Sequence, residues 1–335
     1  MQRLPPLLAA ADTCGLSYLR GEPDTMREGA ERDLGKGGTR DDPGGRKVFE
    51  VQPEGGPTVL RILLGSQLRR LRESKGITRD EAGYTIRASG SKISRMELGR
   101  VSFKERDVAD LLTLYGVTDD GERQALLNLA DKANSPGWWH RYNDILPSWF
   151  QVYVGLEDAA TLIRTYEVQF IPGLLQTEDY ARAVMGVGHA SAAEEVERRV
   201  RLRTERQRLL NRRRGPRLWA VIDEAALRRL IGGAEVMRAQ LEHLLEALKL
   251  PNVILQVMPF RTGGHAAEGG PFTLLRFPEP DLPDVIYVEQ LTSALYLDRR
   301  EDVDTYVEVM ERLCVESEPP ESTAEIINTI MKEIK

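Results

Sequence analysis

The chain has 335 residues, 41% of them hydrophobic, which suits two or three domains with ordinary cores and leaves no apolar run long enough for a membrane span. The proline-broken LPPLLAAA near its start is too short for a signal peptide, and two well-separated cysteines, Cys14 and Cys314, point to a reducing cytoplasm. The net charge of −6 excludes general attraction to nucleic acid, yet residues 60–100 hold ten Lys and Arg against four acids, and residues 301–335 hold ten acids against three bases. A basic module on an acidic body is what local phosphate binding needs.

Residues 1–57 are rich in Gly, Pro and charge and hold only Tyr18 and Phe49 as aromatics, so a disordered extension is expected. An authentic start near Val48 or further on is one reading of that segment. From Leu64 the pattern changes. Leu64, Leu68 and Leu71 fall on one face of a helix, and Gly76 stands where that helix ends. Thr78 and Glu81 form a capping box for a second helix, whose inward face is Ala82 and Ile86. Ser89 caps a third, with Ile93 and Met96 facing the core. Only two or three residues separate these two short helices, which predicts a steep crossing and a helix-turn-helix. Val108, Leu111, Leu112 and Tyr115 mark a fourth helix, and Leu126, Leu127 and Leu129 a fifth. Five helices over 58–132, with the motif at 78–97, make one domain, closed by the Ser135-Pro136-Gly137 break.

The segment 137–185 is dense in aromatics and reads as helices divided at Pro147 and at Ile171-Pro172-Gly173. Glu194 to Arg214 reads as a long basic helix, with ten arginines in 196–217. Beyond it LWAVI, VILQVM, FTLLRF and VIYVEQL read as strands, with helices near 224–231, 234–249 and 300–314. A last helix near 321–334 opens with Ser322 as its cap. The expected fold class is therefore a mainly α bundle of five helices, followed over 136–335 by an α+β domain with a small mixed sheet.

Catalytic and metal motifs are not expected. His140, His189, His243 and His265 lack metal-ligand spacing. The glycine-rich 263–270 lacks the Gly-Lys-Ser/Thr of a phosphate loop, and reads as a flexible connection in which His265 could line a pocket. No GxSxG motif and no carboxylate pair for acid–base work stand out, so neither an enzyme nor a cofactor is expected. Trp138, Trp139, Tyr142, Trp149, Phe150 and Tyr153 suit core or inter-domain packing, or a partner or ligand interface. The basic helix suits a paired or solvated face, a partner surface or extra DNA contact.

The segment from Leu64 to Gly99 resembles the Cro/CI-type (XRE) helix-turn-helix, departing from it at Ala82, where leucine is usual, and at Gly83, where alanine is. The resemblance implies that Ser89, Ser91, Lys92 and Arg95 face the DNA groove, that Arg79 lies near the phosphate backbone, and that Arg72 and Glu97 pair across the bundle. GWWHRY, YEVQFIPGLLQTEDYARAV, VIDEAALRRLIGG, NVILQVMPF and DVIYVEQL are similar to the C-terminal domain of actinobacterial WhiJ-like regulators. That similarity implies a transcription regulator whose partner is often a small protein encoded nearby, in an arrangement compared with toxin–antitoxin pairs. The expected function is thus a cytoplasmic, sequence-specific regulator that binds a double-stranded operator as a homodimer and is controlled through its C-terminal domain. An antitoxin-like protein and a small-ligand sensor are the alternatives.

Overall fold

The computed structural model describes residues 56–188, 192–278 and 282–334. The reading of residues 1–55, including Cys14 and the chain's authentic start, lies outside the described residues, as does His189. The first helix, α1 (Pro57–Ser74), opens with Pro57 at a position where its missing N–H costs nothing. It buries Val59, Leu60, Leu63, Leu64 and Leu68. Gly76 then turns the chain at φ +67°, a left-handed conformation that needs no Cβ. The capping box at α2 (Arg79–Thr85) is complete: Thr78 Oγ1 accepts from the Glu81 N–H at 3.2 Å, and the Glu81 carboxylate accepts from the Thr78 N–H at 2.7 Å. That contact holds the Glu81 carboxyl below the usual carboxylate range. Ser89 caps α3 (Gly90–Glu97), and Asp119 caps α5 (Asp120–Ala133) after α4 (Glu105–Leu114). Ala82, Ile86, Ile93, Met96, Val108, Leu111 and Leu112 close the core of this five-helix region.

The rest of the chain is an α+β fold around a six-stranded mixed sheet ordered β3-β2-β1-β4-β5-β6. Its strands are β1 (Leu162–Glu167), β2 (Arg217–Asp223), β3 (Val253–Met258), β4 (Phe272–Arg276), β5 (Val285–Glu289) and β6 (Ala294–Leu297). Helix α6 (Ser148–Ala159) precedes β1, α7 (Glu178–Gly188) and α8 (Ala193–Gln207) lie between β1 and β2, and α9 (Glu224–Arg228) follows β2. The first three are parallel to one another, and β4, β5 and β6 run antiparallel to their neighbours. One sheet face, carrying Leu218, Ala220, Leu255 and Leu275, packs on Leu241 and Leu244 of α10 (Ala234–Ala247) and on Ile327 and Ile330 of α12 (Thr323–Glu333). The other, carrying Tyr166, Val221, Phe272 and Ile286, packs on Val303, Met310 and Leu313 of α11 (Arg300–Glu316).

Three sequence expectations need correction here. The central strand β1 falls in a segment expected to be helical; Arg164, Thr165 and Glu167 interrupt its apolar run, and the alternation that signals a strand is lost. Those polar groups have partners the sequence does not display. Arg164 stacks over Trp219 with 5.1 Å to the ring centroid, and Thr165 shares a 2.9 Å hydrogen bond with Thr273 on β4. The basic helix is shorter than expected: α8 (Ala193–Gln207) gives way to a 3-10 turn at Arg208–Asn211. Ser322 precedes α12 but makes no side-chain cap, while the Thr323 hydroxyl donates instead to the Leu255 carbonyl at 2.7 Å.

The aromatic segment becomes core. Trp139 and Tyr142 pack on Val154 of α6 (Ser148–Ala159) and Leu202 of α8. Arg206 of α8 forms a buried two-pronged pair with Glu157, both contacts 2.7 Å, and lies over the Phe150 and Tyr153 rings. Arg198 pairs with Asp144, and Arg212 with Asp158. Much of the basic stretch is thus turned inward on carboxylates of its own chain. Helix α6 also packs on α1, where Gly155 receives Thr58 so closely that a Cβ would overlap the threonine hydroxyl. The helix-turn-helix region and the sheet region belong to one compact unit.

Candidate DNA-binding surface

Helix α3 is held from behind and presented in front. Ile93 and Met96 are fully buried, so the opposite side of the helix faces out. Behind it, Arg72 of α1 donates through Nε to Glu97 Oε1 at 2.5 Å and through Nη2 to Glu97 Oε2 at 3.0 Å, and also donates to the Ile77 carbonyl at 2.8 Å. The pair expected from the sequence is therefore present and buried. The hydrogen bond to Glu97 raises Arg72 above its ordinary pKa against the opposing effect of burial. A Cβ at Gly65 would overlap the Met96 carbonyl, so α1 and α3 meet backbone to backbone. The position of α3 is consequently fixed by charge and packing together.

The five candidate contact residues fall into different situations. Arg95 is exposed in the last turn of α3 and has no hydrogen-bond or ion-pair partner among the described residues. Its five N–H donors stand ready for a guanine edge or a phosphate. Ser91 is exposed one turn earlier. The Ser89 hydroxyl accepts from the Lys92 N–H at 3.3 Å, which leaves its own proton to donate outward. Lys92 is engaged elsewhere: its Nζ lies 2.6 Å from Asp107 Oδ2 on α4. Arg79 donates through Nε to Glu97 Oε2 at 3.1 Å, and its side chain stays 45% exposed, so its outer nitrogens remain accessible.

Two further exposed residues, just before α3 in the chain, were not anticipated. Arg87, in the turn between α2 and α3, has φ +54°, the sole non-glycine in that region among the described residues, and is exposed. Tyr84 on α2 is 86% exposed. Nothing in a single sequence marks a left-handed arginine. The Lys92–Asp107 pair was equally invisible, because it spans 15 residues across a loop.

A second polar cluster lies within the α+β region. The half-buried Glu167 carboxyl on β1 is pushed up to about 8 by burial and by nearby Glu289, with Arg203 opposing. Arg203 is itself lowered to about 10, by burial first and then by Arg206, and donates to Gln176 Oε1 at 2.6 Å. Glu289 accepts from the Tyr287 hydroxyl at 2.9 Å. His265 in the glycine-rich connection meets Tyr166, Nε2 to the hydroxyl at 2.9 Å.

A short-turned helix pair with a clamped and outwardly polar third helix defines the N-terminal region as a helix-turn-helix, and a helix-turn-helix domain model matches residues 63–126. Residues 150–329 match the family described as a domain of unknown function, DUF5753, and the chain belongs to that family. No curated protein and no solved structure matches the chain. No helix among the described residues is long and apolar enough to cross a membrane.

Proposed function

We propose that the chain is a sequence-specific transcriptional regulator of the Cro/CI type, akin to the WhiJ-like group, that works in the cytoplasm by binding operator DNA rather than by catalysis. The observation that carries this reading is the exposed and unengaged Arg95 on a helix whose back is locked by Arg72, Glu97, Ile93 and Met96. A helix held this rigidly can place a guanidinium against a base edge without first being ordered.

One such unit reads few base pairs, so useful affinity calls for a homodimer whose recognition helices are spaced about 34–36 Å apart, one turn of DNA. The C-terminal region has the surface for this. Among the described residues strand β6 pairs only with β5; Leu295 on the strand is 53% exposed and Leu291 just before it 90%. An open strand edge bordered by leucines suits pairing with a second copy or with a small protein encoded nearby. The contact of α1 with both α3 and α6 supports control through the C-terminal region. Selection of bound fragments from total genomic DNA, followed by mobility shift, tests the reading. Enrichment of one motif with two-fold symmetry is expected. Equal retention of all fragments overturns it.

A further inference from the structure

Between the helix-turn-helix and the sheet lies a cleft of about 260 Å³. Its walls are mostly apolar: Ile62 of α1, Leu98 just after α3, Val152 and Leu156 of α6, and Val285 of β5. That volume approaches the lower end of small-molecule sites, roughly 300–1,000 Å³. The mouth is charged. Glu97 borders it but is turned to Arg72 and Arg79, and Arg69, Arg70, Arg100, Glu73 and Asp298 complete it. Arg69 pairs with Glu73 at 2.9 Å. Arg100 has no carboxylate partner among the described residues; its Nη2 donates to the Tyr296 carbonyl at 3.0 Å, and its guanidinium lies over the Tyr296 ring at 5.5 Å.

Apolar walls beside an arginine that has no carboxylate partner among the described residues select one chemical class. We propose that this cleft is an effector site for a compact, mainly apolar organic anion such as an aryl carboxylate, and that its occupancy changes affinity for DNA. The apolar body lies between Ile62, Val152 and Val285, and the anionic group meets Arg100. Neither region forms the site alone, since α1 and the end of α3 supply one wall and α6 with the sheet supplies the other. The coupling route is short. Helix α1 is joined to α3 through Gly65 and the Arg72–Glu97 pair, and to α6 through Thr58 on Gly155. A molecule that alters the gap between α1 and the sheet therefore moves the recognition helix with it. By linkage, DNA must alter affinity for the occupant by the same factor.

Only the effect on DNA rests on the function proposed above; binding in the cleft does not. The full-length chain is titrated with 8-anilinonaphthalene-1-sulfonate, an apolar aryl anion, and with the neutral N-phenyl-1-naphthylamine. Saturable binding of the anion, at least about fivefold tighter than of the neutral dye, is expected, together with a shift of about fivefold or more in operator Kd. Val152→Trp, which fills the cleft, abolishes saturable binding while operator binding persists. Arg100→Gln, a surface change that leaves the core intact, weakens the anion about fivefold or more and leaves the neutral dye unaffected. Wild-type dye binding by Val152→Trp, or an unchanged anion preference in Arg100→Gln, overturns the site. Saturable binding with an unchanged operator Kd overturns the coupling. Dye binding in the cleft of a chain that enriches no DNA motif overturns the regulator reading and leaves the site standing.

Discussion

Arg95 and Lys92 lie three residues apart on one helix and do different work. Arg95 has no partner among the described residues, whereas Lys92 is held 2.6 Å from Asp107. Arg95→Ala is expected to weaken operator binding by about 1–3 kcal/mol with little effect on random DNA. Mobility shifts on both DNAs check this, and equal losses would place Arg95 among the phosphate contacts. A second residue-scale effect concerns acidity. Burial, and then Glu289, push the Glu167 carboxyl up to about 8 in the folded chain, from 4.5 ordinarily. Between those values the folded state keeps a proton that the unfolded state has released, so stability falls as pH rises through the window. Glu167→Gln cannot ionise, and its melting temperature should fall less than that of the parent chain between pH 5.5 and 9. Calorimetry at the two pH values decides, and parallel declines would remove Glu167 as the cause.

At the level of elements, α1 and α6 meet at Gly155 with no room for a side chain. Gly155→Ala would drive a methyl into Thr58 and toward Trp139, prising the two helices apart at a cost of about 1–3 kcal/mol. Thermal melting of the full chain reads that loss, and an unchanged transition would mean that the helices slide freely. The helices around the recognition unit were legible from sequence because their signals are local. Thr78 and Glu81, Ser89, Gly76 and the spacing of Leu64 and Leu68 each act within one or two turns. Strand β1 was not legible, since its partners Trp219 and Thr273 lie far along the chain and its polar side chains mask its period. Strand β6, four residues at an edge, was too short to carry any period. The candidate contact residues were named from the family pattern, but the pattern is silent on which of them the fold would engage. Asp107 and Glu97 decide that, through contacts made only in three dimensions.

For the whole molecule, assembly is the first consequence. If two copies join edge to edge along β6, Leu295→Lys places a charge at the joint and should convert a dimer into a monomer. Light scattering measures the mass, and operator affinity should fall with it. A dimeric Leu295→Lys variant would move the interface elsewhere. The second consequence lies in how the sheet is threaded. On β1, Leu162 meets Arg217, 55 residues on, and Arg276, 114 residues on. Within the helix-turn-helix, α2 and α3 pack directly on one another, and the Arg72–Glu97 pair spans 25 residues. Loop closure is slower and entropically harder for the distant pairings. A nascent chain can thus finish its DNA-reading half while the middle strand of its sheet still waits for both neighbours. Pulse-labelled hydrogen exchange during refolding should protect amides of α2 and α3 before those of β1. Until β4 arrives, β1 keeps an unpaired edge, and a chain cut short before Phe272 would carry that open edge into aggregation.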